Sequence, residues 1–94
     1  MKTYILDCYQ SNTSKEQMHF SVNHPNAIGS EVFIEWVCVY ADGSHERQPI
    51  DLEAWNLKAK DVPQNENGFY SVRNARWIWD RLVQNNGCKV AQSS

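Results

Sequence analysis

Ninety-four residues, 41% apolar and 21% charged, make one small domain over residues 1–94; two domains, or a chain disordered throughout, do not fit that length and balance. A net charge of −2 argues against a wholly basic nucleic-acid binder. No apolar run is long enough for a membrane-spanning helix.

Residues 3–9 alternate as a strand, with Tyr4, Leu6 and Cys8 on one face and Thr3, Ile5, Asp7 and Tyr9 on the other. Gln10 to Ser14 is polar and reverses the chain. Residues 17–23 set Met18, Phe20 and Val22 against Gln17, His19, Ser21 and Asn23, the pattern of an antiparallel strand with one wet face. His24-Pro25-Asn26 ends it, because proline cannot donate to a ladder. Residues 31–40 are apolar on one face through Val32, Ile34, Trp36, Cys38 and Tyr40. The other face is nearly so, through Phe33, Val37 and Val39. β-Branched and aromatic residues dominate, which predicts a central strand covered on both sides. Asp42-Gly43 suits a two-residue type I′ turn into a partner strand from Ser44 to Ile50, with Pro49 marking an edge or an end.

Asp51 suits the N-cap of a short helix near 51–59, with Leu52, Trp55 and Ala59 at helical spacing; a strand is the alternative there. Lys60 to Gly68 reads as a loop. The C-terminal helix is the best punctuated element. Ser71 is its N-cap, Tyr70 and Ala75 make a hydrophobic staple, and Gly87 is the left-handed stop near Asn85 or Asn86. Cys88 is expected to pack back on Val83, and the tail after Val90 to fray. The fold class is therefore α+β: a meandering antiparallel sheet of three to four strands with the C-terminal helix packed on one face. Trp36, Trp79, Phe20, Ile34, Leu6 and Leu82 are its expected core.

On that helix, Val72, Ala75, Ile78, Trp79, Leu82 and Val83 share an arc about 140° wide. Trp77 stands about 160° from Trp79, so one face cannot bury both indoles. Trp77 instead lines up with Arg73 and Arg81, four residues away on either side. Arg76 borders the core stripe. Trp and Arg are the types that most often carry energy at interfaces. The binding residues read from the sequence are thus Arg73, Trp77, Arg81 and Arg76. Charge supports the choice. Residues 31–66 carry Glu31, Glu35, Asp42, Glu46, Asp51, Glu53, Asp61 and Glu66 against Arg47, Lys58 and Lys60. Residues 67–94 carry Arg73, Arg76, Arg81 and Lys89 against Asp80. A solvated helix face that complements the acidic middle of the same fold is the plainer account of this asymmetry.

Catalytic signals are thin. Cys38 and Cys8 lie on apolar faces, where burial makes a thiol inert, and Cys88 follows a helix end whose partial charge disfavours a thiolate. His19 and His24 fall on opposite sides of a strand and read as solvated surface groups, not metal ligands. The glycines are isolated at turns and form no phosphate loop. Neither a cofactor nor a metal is expected. Three cysteines without a C-x-x-C spacing, and an N-terminus unlike a signal peptide, fit the cytoplasm. In size and aromatic content the chain resembles accessory proteins of phages and mobile gene cassettes, inhibitors of bacterial defence systems among them. The expected function is a non-catalytic protein-binding module of accessory, adaptor or inhibitor type, docking through the Arg/Trp face onto another protein or, as a homodimer, onto a second copy. A nucleic-acid binder using the same face is the alternative, and a small enzyme or ligand-binding domain the second.

Overall fold

The computed structural model describes residues 2–23, 25 and 31–91. Strands β1 (Lys2–Gln10), β2 (Ser14–Val22), β3 (Val32–Tyr40), β4 (His45–Pro49) and β5 (Lys89–Val90) form one antiparallel sheet in the order β4-β3-β2-β1-β5. Helix α1 (Val72–Asn86) packs on one face. The architecture is α+β, and β1 to β4 meander in chain order as expected. The sheet has five strands, not three to four. The fifth is two residues long and carries no periodicity to read. It exists because Gly87, at φ 69°, turns the chain back after α1. The tail beyond it does not fray at once: the Ala91 amide donates to the Ile5 carbonyl at 3.0 Å. His24 and Asn26, read as part of a strand end, lie outside the described residues.

The β1–β2 turn is held by the Ser11 hydroxyl, which accepts from the Thr13 and Ser14 amides. The β3–β4 turn differs from the expected two-residue form. Its loop is Ala41-Asp42-Gly43, with the Gly43 amide bonded to the Tyr40 carbonyl and only Gly43 (φ 89°) at positive φ. That is a type I turn followed by a left-handed glycine, and it spares Asp42 a strained backbone. Asp42 uses its carboxylate instead, accepting from both the amide and the hydroxyl of Ser44. Those two bonds hold its pKa below the usual carboxylate value.

The core lies between α1 and one sheet face. Leu6, Met18, Phe20, Val32 and Ile34 meet Ala75, Ile78 and Leu82, while Leu52, Leu57, Val62 and Tyr70 close the sides. Each fully buried aliphatic chain among these contributes about 1.5–3 kcal/mol. The segment near 51–59 is not one helix but two 3₁₀ turns, Leu52–Trp55 and Ala59–Asp61. Asp51 does cap the first, accepting from the Glu53 amide. Tyr70 and Val32 then exchange amide bonds of 2.9 and 2.7 Å, delivering the chain to the helix start.

One expectation about the core needs correction. Trp36 and Trp79 are half-buried, not buried, because each ring lies at the margin of the core. On the second sheet face, expected to be covered at β3, none of Phe33, Glu35, Val37 and Val39 is exposed, although no described helix lies over them. Phe33 there meets Phe69, with ring centroids 5.5 Å apart. Val37 on that face is nonetheless sealed at 0% exposure. Its ladder neighbours are Gln17 and Arg47, whose long stems shield it.

Candidate functional site

Helix α1 starts where the Ser71 hydroxyl accepts the Asn74 amide at 3.1 Å and stops at Gly87. Its buried residues are Ala75, Ile78 and Leu82, a stripe only about 60° wide around the axis. Val72 and Val83, expected in that stripe, are exposed at 48% and 38%. The two indoles flank the stripe on opposite sides. Trp79 stands about 65° from its centre and Trp77 about 135° the other way. Trp79 meets Phe20 edge to face, with centroids 5.0 Å apart and planes at 71°.

Trp77 is half-buried and touches the core from its margin. Arg81 covers its ring, the guanidinium carbon 5.1 Å from the centroid. Arg73, one turn earlier, is exposed. Arg73, Trp77 and Arg81 thus share one side of α1, as the spacing implied. Arg76 does not join them. It lines an open cleft of about 620 Å³ with Tyr4, Phe20, Val22, Trp79 and Asp80 on the Trp79 side of the helix. Among the described residues none of these arginines is ion-paired; the pairs present are Lys15–Asp7 and Arg47–Glu35.

The order of charge along α1 is unusual. Arg73 occupies the second helical position and Arg76 follows within a turn, while no acid lies in the first turn and no base in the last. The positive end of the helix dipole disfavours cations by about 0.3–1 kcal/mol each. Helix stability does not account for these side chains.

Sequence reasoning missed a polar chain on the sheet face away from α1. Lys15 pairs with Asp7 at 3.4 Å, Gln17 Nε2 donates to Asp7 Oδ1 at 2.9 Å, and Gln17 Oε1 meets His19 Nε2 at 3.0 Å. Because Gln17 donates to Asp7 through its amide nitrogen, its oxygen accepts, and His19 donates from Nε2. His19 is half-buried, not a freely solvated group. Burial first, then the neighbouring Arg47, lowers its pKa, with Glu35 opposing and His45 adding to the fall. Strand alternation placed Gln17 and His19 on one face; the register that adds Asp7, Glu35 and Arg47 was not in the sequence. A second cleft of about 500 Å³ is lined by Trp36, Trp55, Glu16 and Asp51, and there Trp36 Nε1 donates to Glu16 Oε1 at 2.9 Å. No three His, Cys, Asp or Glu side chains converge as metal ligands among the described residues, and no described helix is long and apolar enough to cross a membrane.

No family model matches the chain, and no solved structure matches it. It is similar to a probable aspartoacylase of Prochlorococcus marinus (strain MIT 9312), at 27% identity over 84 residues. That match covers 87% of this chain but 26% of the relative, so the chain spans about a quarter of that protein's length.

Proposed function

We propose that this domain is a non-catalytic binding module that docks the Arg73–Trp77–Arg81 side of α1 onto a protein with an acidic, partly apolar surface. The observation that carries the reading is the half-buried Trp77 indole beneath the Arg81 guanidinium. A ring anchored along one flank loses little freedom on binding, and its outer flank offers apolar area beside a carboxylate-seeking fork. The unfavourable placement of Arg73 at the helix start supports it, since a partner's acids would relieve that cost.

A partner recovered with the wild-type chain from cells of its source should be lost with Trp77→Ala and with Arg81→Ala. If both variants fold and keep every partner, the reading falls. The acidic span 31–66 makes a second copy a suitable partner as well. Light scattering at low and moderate salt tests that arm. Nucleic acid is distinguished by salt too, because a phosphate binder loses affinity far more steeply than a Trp-centred interface.

The likeness to a probable aspartoacylase favours a second reading, a domain related to part of an enzyme. Its test is an aspartoacylase assay of the chain alone and with the partner it recovers.

A further inference from the structure

Two of the three cysteines, distant in sequence, come together where β5 meets β1. The Ala91 amide bonded to the Ile5 carbonyl marks those two residues as a hydrogen-bonded pair. Leu6 then pairs with Val90 and Asp7 with Lys89. One further step sets Cys8 opposite Cys88, at a non-hydrogen-bonded position. The Cys88 amide agrees, since it points away from the ladder to the Leu82 carbonyl. A bulge between Asp7 and Tyr9 leaves Cys8 without a register partner on β2. Both side chains face the core: Cys88 is part of it and Cys8 packs against it.

Non-hydrogen-bonded pairs hold their Cα atoms about 4.5 Å apart. A disulfide closes without backbone movement when that separation is about 4.4–6.8 Å. Cys38 is different. It lies on β3, opposite Glu16 of β2, so two strand spacings, about 9–10 Å, separate it from β1. That is beyond the reach of a disulfide.

We propose that Cys8 and Cys88 are a cross-linking site, a thiol pair that closes to an intramolecular disulfide and staples the segment after α1 to the first strand. All three cysteines are free in this structure, so the pair is described in its reduced form. The co-reactant is a low-molecular-weight disulfide such as oxidised glutathione. The Cys8 thiolate, the more exposed of the two, attacks one sulfur of it and releases one small thiolate. The Cys88 thiolate then attacks the Cys8 sulfur of the mixed disulfide and releases the second. Two protein S–H bonds and one small S–S bond become one protein S–S bond and two small thiols. Burial and the adjacent Cys88 thiol push the pKa of Cys8 up, and burial does the same to Cys88. Thiolate is therefore scarce at neutral pH, and closure quickens as pH rises, by about tenfold per unit below the thiol pKa.

The test uses the full chain, folded, with excess oxidised glutathione at mildly alkaline pH. Intact mass should fall by two hydrogens in the wild type and in Cys38→Ser, and a proteolytic map should join residues 8 and 88. In the cross-linked form, exchange of the Ala91 amide should slow. An unchanged mass, a bridge that includes Cys38, or glutathione adducts alone would overturn the proposal. The wild-type map decides the matter even where a cysteine variant fails to fold.

Discussion

The Arg81 guanidinium carbon stands 5.1 Å over the Trp77 ring, one helical turn away. Arginine over an indole is worth about 0.5–1 kcal/mol at an exposed site. Arg81→Ala should therefore lower stability by about that amount. It should also open the ring, so that Trp77 fluorescence becomes more easily quenched by acrylamide. Arg81→Lys should restore only part of the loss, because an ammonium does not stack as a planar guanidinium does. Equal quenching in wild type and Arg81→Ala would mean that the contact does not persist in solution.

The other indole makes the opposite bargain. Trp79 meets the Phe20 ring edge to face at 5.0 Å and lies nearer the buried stripe. Trp79→Ala should cost about 3 kcal/mol, whereas Trp77→Ala should cost about 1–2 kcal/mol. Urea unfolding of the two variants compares them. A larger loss for Trp77→Ala would reverse the assignment of the flanks.

Much of this architecture could be read from local signals. Ser71 and Gly87 fixed α1, and alternation through Met18, Phe20 and Val22 fixed the inner face of β2. What escaped depends on long-range register. The two residues of β5 have no pattern of their own and form a strand only because β1 is there to pair with. The Cys8–Cys88 juxtaposition and the Asp7–Gln17–His19 chain escaped for the same reason. The turn after β3 was misread because Asp-Gly fits both a two-residue and a three-residue loop, and the pairing of Tyr40 with Ser44 decides between them. Arg76 was grouped with Trp77 as a binding residue, but it stands about 100° from Trp77 around the axis and lines the Trp79 cleft instead.

The ends of α1 give a test independent of any partner. Ser71→Ala removes the acceptor for the Asn74 amide and should cost about 1 kcal/mol, while Ser71→Asp, which keeps an acceptor, should be nearly neutral. Gly87→Ala places a side chain at φ 69° and should cost about 1 kcal/mol or more, although a Cβ there meets no atom within 4 Å. The penalty is one of backbone conformation, not of space. Thermal melts of the three variants should show Ser71→Ala and Gly87→Ala lowered and Ser71→Asp close to wild type.

His19 ties stability to pH. Its folded pKa lies below the unfolded value of 6.5, first through burial and then through Arg47. The unfolded chain therefore binds a proton more readily than the folded one. By linkage, the contribution of His19 is complete above the unfolded pKa and is lost as pH falls through that value towards the folded one. The groups facing the ring are Gln17, Glu35, Arg47 and His45, and Gln17 is itself held by Asp7. His19→Gln keeps a donor for Gln17 but cannot gain charge. Its stability should fall less steeply than that of the wild type as the solution is acidified from neutrality. Arg47→Gln removes one of the repelling cations and should raise the His19 pKa in an NMR titration. Unchanged titration in Arg47→Gln would remove Arg47 from the causes and leave burial, with His45, to account for the shift.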